Sequence, residues 1–196
     1  TTGAYNVAVG ANAGLLHTTG GNNVFVGDSA GRQNTTGCKN TGLGSGALYG
    51  AGGSGTVMQD NAAVGYRSLY TNTTGNSNAA FGNNTLYANT TGCINTAIGK
   101  DALGLTTTGQ QNTALGAAAG YNVTTGDNNL LVGRNAGRSQ SPATITTGDN
   151  NIVLGNNTHT NAYIKIDWTV TSDLRDKTNI EPIPHGLNFI NQITPI

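Results

Sequence analysis

Asn95-Thr96-Ala97-Ile98-Gly99 returns seventeen residues later as Asn112-Thr113-Ala114-Leu115-Gly116, and it is preceded at the same distance by Asn78-Ala79-Ala80-Phe81-Gly82. Working outward in both directions, the closing glycine aligns as Gly10, Gly27, Gly44, Gly65, Gly82, Gly99, Gly116, Gly133 and Gly155, at spacings of 17, 17, 21, 17, 17, 17, 17 and 22 residues. Nine copies fill residues 3 to about 159. A fixed period of this length is the signature of a solenoid, in which each repeat is one coil that cannot bury a core alone and gains one by stacking. The residue four before the glycine is Asn in all nine copies, from Asn6 and Asn23 through Asn95 to Asn129 and Asn151. No local propensity demands that. Identical amides in register can form a ladder from rung to rung, and an Asn at a corner can bond the backbone.

Inside each copy a short strand is legible. The residue before the glycine is always apolar (Val9, Val26, Leu43, Val64, Phe81, Ile98, Leu115, Val132, Leu154), and the residue two places earlier is uncharged and often β-branched (Val7, Val24, Thr41, Thr96, Thr113, Ile152). This alternation reads as a strand of about four residues whose apolar columns point to an interior. The column between them is mostly small (Ala8, Gly42, Ala63, Ala80, Ala97, Ala114), so the second face is also expected to be closely approached. Two contacted faces imply a neighbour beyond the single chain.

The rest of the unit runs through a small residue three past the glycine and ends in Thr-Thr-Gly, as at Thr90-Thr91-Gly92 and Thr107-Thr108-Gly109. Glycines at fixed offsets suit corners that need positive φ or close backbone approach. Inserts at residues 50–60 and 138–145 lengthen two copies without changing phase and are expected as surface excursions. At ~4.8 Å per rung, nine rungs make a rod on the order of 43 Å long. The expected fold is therefore all-β: a parallel β-roll or β-helix of about nine 17-residue repeats over residues 1–160, a connecting strand at 161–171 and a short mixed segment at 172–196. Side chains this small bury little area in one coil, which argues for several chains along a common axis, preferably three. Periodicity leaves the hand of the coil open.

Composition narrows the function. Of 196 residues 30 are Gly, only 9% are charged, and nine basic residues balance nine acidic ones without clustering, so no nucleic-acid partner is expected. No apolar run reaches the ~18 residues of a membrane span, and no membrane insertion is expected. Cys38 and Cys93 share one repeat column three rungs apart, roughly 14 Å by the rung spacing, beyond disulfide reach; both are expected as small buried residues. His17, His159 and His185 form no metal-ligand spacing, Gly52-Gly53-Ser54-Gly55 lacks the Lys-Ser/Thr of a phosphate loop, and no metal or cofactor is expected. Asp127 and Asp149 fall in one corner column of adjacent rungs, where a like-charged pair would bind a cation, face solvent or, as the weakest reading, serve polysaccharide cleavage. Repeated Thr would allow an ice-binding array, though a turn flank is the simpler reading. Asn34, Asn72, Asn122 and Asn156 meet the Asn-x-Thr glycosylation pattern, which an Asn/Thr-rich repeat produces by chance.

Beyond Asn161 the character changes. Tyr163 to Val170 alternates like a strand; Ser172-Asp173 suits a helix cap, Pro182-Ile183-Pro184 breaks that turn, and Leu187, Ile190 and Ile193 fall on one helical face. These last residues read as the start of a further domain.

Ser172-Asp173-Leu174-Arg175-Asp176-Lys177-Thr178-Asn179-Ile180, with Leu187, Ile190 and Ile193-Thr194-Pro195 after it, resembles the opening of the intramolecular chaperone domain of the peptidase S74 family, found at the C-terminus of phage tail fibres, tailspikes and endosialidases. The repeat resembles the trimeric β-roll heads of autotransporter adhesins, and similar repeats precede that chaperone in phage fibres. The resemblance implies a left-handed, homotrimeric coil in a virion tail fibre, projecting toward a host-surface glycan or protein receptor. It also implies self-cleavage at Thr171–Ser172, with Ser172 as nucleophile and Lys177 as the base that activates it, which requires burial or neighbouring cations to lower the lysine's proton affinity. The chaperone likeness covers residues 171–196 only, so the fragment itself is expected to be inactive. The alternative is a bacterial cell-surface adhesin head of the same architecture.

Overall fold

In the computed structural model, which describes residues 2–50, 57–139 and 143–161, the chain coils into a β-solenoid. Nine three-residue strands, β1 (Val7–Val9), β2 (Val24–Val26), β3 (Thr41–Leu43), β4 (Ala62–Val64), β5 (Ala79–Phe81), β6 (Thr96–Ile98), β7 (Thr113–Leu115), β8 (Leu130–Val132) and β9 (Ile152–Leu154), pair in chain order as one parallel sheet. Each is one residue shorter than the sequence suggests, because the glycine that follows turns the chain at positive φ, between 129° and 141° after β1 to β7, 114° after β8 and 82° after β9. Register is column on column throughout, and the two inserts leave it intact: Thr41 lies against Ala62 and Leu130 against Ile152. Met58 and Ile145, at the ends of those inserts, are buried in the core. The remaining walls are bonded rung to rung as well, for example Leu16 N–H to Arg32 O at 2.9 Å and Thr107 N–H to Thr124 O at 2.8 Å. Residues 1–160 form one compact unit. The connecting strand expected at 161–171, the segment 172–196, and with them Ser172 and Lys177, lie outside the described residues apart from Asn161.

The interior is lined by the column that the sequence suggested would face outward. Phe25, Ala63, Ala80, Ala97, Ala114 and Leu131, the middle residues of their strands, are buried, whereas Val9, Val26, Phe81, Ile98, Leu115 and Leu154 are exposed in the single chain. The reason is width: a three-residue strand offers the interior either one side chain or two, and the coil has room for one.

Opposite each middle residue stands the position six further on, and the two share one volume. Where the strand supplies Gly42, Ala63, Ala80 or Ala97, the far wall supplies Leu48, Leu69, Leu86 or Leu103, all fully buried. Where the strand supplies Phe25 or Leu131, the far wall is Gly31 or Gly137; a Cβ on Gly31 would lie 2.4 Å from the Phe25 ring and one on Gly137 2.8 Å from Leu131. Each facing pair thus holds at most one bulky side chain, and close packing is kept by trading size across the coil.

The coil also depends on left-handed backbone. Twenty described non-glycine residues have positive φ, and they fall in fixed columns. One precedes the invariant Asn and reads Tyr5, Asn22, Lys39, Asp60, Ser77, Ile94, Gln111, Asn128 and Asn150. Asn and Asp tolerate this region, while a β-branched residue is strained there. Ile94, at φ 59° and 57% exposed, gains little burial in return. Ile94→Asn is expected to stabilise the chain by about 1 kcal/mol, measured as a rise in the denaturation midpoint.

Candidate functional site

The most regular polar feature is internal. Each invariant Asn before Asn151 places its Oδ1 to accept from both the backbone N–H (2.9–3.2 Å) and the Nδ2 (2.8–3.2 Å) of the Asn one rung on. The second Nδ2 hydrogen goes to a carbonyl at the Gly corner, as from Asn95 to Gly109 at 2.8 Å. Amides bonded on both sides and buried from Asn23 to Asn129 hold the corner and present nothing to a ligand. The ladder anticipated from the sequence is the structural reading of that column.

A second ladder accounts for the acidic pair and the thiols. Two residues before the invariant Asn, a side chain accepts from the backbone N–H one rung back: Cys38 Sγ from Gly21 (3.4 Å), Asn76 Oδ1 from Gln59 (3.0 Å) and Cys93 Sγ from Asn76 (3.4 Å). Asp127 and Asp149 continue it at 2.7 Å, from Gln110 and Asp127 respectively. Their carboxylates are thus engaged as edge acceptors. Cys38 and Cys93 are half-buried rather than buried, because this column lies on the outside of a corner. Among the described residues no group of three His, Cys, Asp or Glu side chains could hold a metal ion.

The threonines divide in the same way. The first of each Thr-Thr pair donates its hydroxyl to the next rung's carbonyl, as Thr73 to Thr90 O (2.9 Å) and Thr90 to Thr107 O (3.0 Å). The second is exposed, leaving a single file of one hydroxyl per turn. Asn34 and Asn72 are fully buried, so their glycosylation pattern is a by-product of the repeat. His17 sits buried in the Asn34 and Asn72 column with its ring nitrogens 2.9 Å from Asn34 O and 2.7 Å from Gly20 O.

Two surface features remain, and both run along the rod. The first is the outer face of the sheet, where the flanking residues of all nine strands are exposed or half-buried. No described residue covers Ile98 (43% exposed), Leu115 (47%) or Leu154 (54%), and no charged residue interrupts the two columns. Isolated exposed apolar residues are ordinary, but a contiguous stripe marks an interaction surface.

The second feature lies five residues past the glycine. From the second copy to the eighth that column reads Arg32, Tyr49, Tyr70, Tyr87, Gly104, Tyr121 and Arg138, with Leu15 and Thr160 at its ends. Tyr49, Tyr70 and Tyr87 stack nearly parallel with centroids 4.8 and 5.4 Å apart. Arg32 lies over Tyr49 at 5.7 Å and donates to its hydroxyl at 2.7 Å, and Arg138 lies 4.6 Å over Tyr121. At Gly104 the stack is interrupted by an open cleft of about 270 Å³ lined by Arg67, Asn84, Tyr87, Asp101, Gly104, Leu105 and Tyr121. Sequence reasoning passed over this column, although its signal, a Tyr at constant offset from the glycine in four copies, stands in the alignment.

Comparison with protein-family models, with curated proteins and with solved structures returns no match for this chain.

Proposed function

We propose that the chain is a structural element of a phage tail fibre: a left-handed homotrimeric shaft or head, carried on the virion and serving attachment to a glycan or protein on the host surface. In the parent protein the motif at 172–180 opens a self-cleaving chaperone, with Ser172 as nucleophile and Lys177 as its base. The observation that carries the structural part of this reading is the uncharged apolar stripe along all nine strands. A rod that exposes such a stripe over its whole length loses free energy of about 25 cal/mol for every Å² of apolar surface it can cover. Three copies turning that face to a common axis cover it completely and leave the remaining walls to solvent. The narrow core supports the same reading, since each strand and its facing wall bury at most one bulky side chain between them. The motif that resembles the chaperone supports the viral assignment and the cleavage.

The test is a pair of charges on the stripe. Ile98 and Leu115 point away from the core of their own chain, so Ile98→Lys with Leu115→Lys leaves each coil's packing untouched but would bring six ammonium groups to the axis of a trimer. The wild type is expected to sediment as a trimer and the double variant as a monomer with unchanged far-ultraviolet circular dichroism. A monomeric wild type, or a variant that remains trimeric, overturns the reading.

A further inference from the structure

We infer that the cleft at Gly104 is a binding slot for one pyranose ring of a saccharide. This rests on the attachment reading above and gives it a site and a ligand class. The column of Arg and Tyr side chains is a closed stack everywhere except at this rung, where glycine removes one ring from an otherwise continuous series. The backbones that carry Tyr87 and Tyr121 are two rungs apart, ~9.6 Å at the strand spacing; both side chains wall the cleft, with the Tyr121 ring leaning over Gly104, 2.9 Å from where a Cβ there would stand. Leu105, 41% exposed, adds an apolar rim.

The polar groups of the cleft select what kind of ring enters. Asn84 and Asp101 are half-buried and fixed by left-handed backbone (φ 51° and 59°), with their N–H groups bonded to Tyr66 O and Asn83 O at 2.9 Å. Asp101 is otherwise engaged only by Lys100 at 3.9 Å across an exposed edge, a contact too weak to occupy it. Arg67 is held beside the cleft by Tyr66 and Tyr70, 5.0 and 5.3 Å from their centroids. A carboxylate that accepts, an amide that does both and a guanidinium that donates match a ring of hydroxyls. The tyrosine faces match the C–H face of the same ring. A flat aromatic ligand would use the tyrosines and leave Asp101 unmet, at the cost of a desolvated carboxylate. Few, fixed polar groups around an apolar cleft are the general form of a small-ligand site.

Gly104 also supplies the decisive variant. Tyr at position 104 is what four other rungs carry, and Gly104 is not in the left-handed region; its Cβ would meet the Tyr121 ring at 2.9 Å, which displaces that ring and closes the slot. Saturation-transfer difference NMR is run with the methyl glycosides of glucose, galactose, N-acetylglucosamine and glucuronic acid, with sialic acid, and with indole as the aromatic control. The wild type is expected to give signal from at least one sugar, strongest at ring C–H protons. Gly104→Tyr is expected to abolish it, and Asp101→Asn to weaken binding at least tenfold, with melting temperature retained in both. No sugar signal from the wild type, an undiminished signal in Gly104→Tyr, or saturation of indole alone overturns the slot. Sedimentation of the same samples separates the two claims: a trimer without sugar binding sinks only the slot, and a monomer that binds sugar sinks only the trimeric fibre.

Discussion

Asn95→Ala is expected to unfold the coil at room temperature or bring it close to doing so. The substitution removes four hydrogen bonds, from Asn95 to Asn78 Oδ1 and Gly109 O and from Asn112 N–H and Nδ2 to Asn95 Oδ1. Three buried groups then lack partners: the Gly109 carbonyl, the Asn112 amide and one Nδ2 hydrogen. At about 1–3 kcal/mol for each unsatisfied buried group the cost is about 3–9 kcal/mol, against a typical total stability of 5–15 kcal/mol for a domain. Asn95→Asp keeps the acceptor but turns a charge toward Asn78 Oδ1 and Gly109 O, and it is expected to cost at least as much. Asn6, at the end of the ladder, serves only Asn23 and Gly20 and is half-buried. Asn6→Ala leaves the Asn23 N–H and one Asn23 Nδ2 hydrogen without partners, while Gly20 O keeps its contact with His17, and is expected to cost about 2–6 kcal/mol, less than Asn95→Ala by the third group. Urea denaturation at fixed chain concentration reads all three, and equal losses at positions 6 and 95 would contradict the ladder's role.

Phe25→Ala is expected to cost about 3–5 kcal/mol, the usual loss on emptying a buried aromatic site. The informative result is its rescue. In the rungs where the strand carries Ala, a Leu at the facing position fills the space at φ near 50°, and Gly31 already has φ 59°. Gly31→Leu alone is expected to destabilise, because its Cβ would fall 2.4 Å from the Phe25 ring. Combined with Phe25→Ala it recreates the Ala63 and Leu69 arrangement, and the double variant is expected to be more stable than either single one. A double-mutant cycle with favourable coupling below about 1 kcal/mol would contradict the shared-volume account.

The same rungs explain how much of the molecule could be read in advance. The period, the strand positions, the phase across both inserts and the Asn ladder were legible because each is an identity repeated in one column. The inward face was not, since apolar residues stand on both faces of every strand and alternation alone cannot tell a core from an interface. Val9, Ile98 and Leu115 look like core residues by composition; only the facing series of Leu48, Leu69, Leu86 and Leu103 reveals that the interior is already full. Glycine marked its corners as expected, since the nine closing glycines all have positive φ and a Cβ on Gly99 would lie 2.6 Å from Gly116, but many further left-handed corners carry Asn, Ser, Leu or even Ile and are unmarked in the sequence. The cleft escaped notice because its defining residue is an absence of side chain, visible only against the Tyr column on either side. Asp127 and Asp149 were placed correctly in one column, and the backbone N–H groups that engage them emerge only with rung-to-rung register.

Native mass spectrometry of the purified chain tests the central claim most directly, because it counts the copies that meet along the apolar face of the sheet. The predicted result is a single species at three times the chain mass that persists on dilution. A species at one chain mass, with the β-solenoid intact, would contradict it.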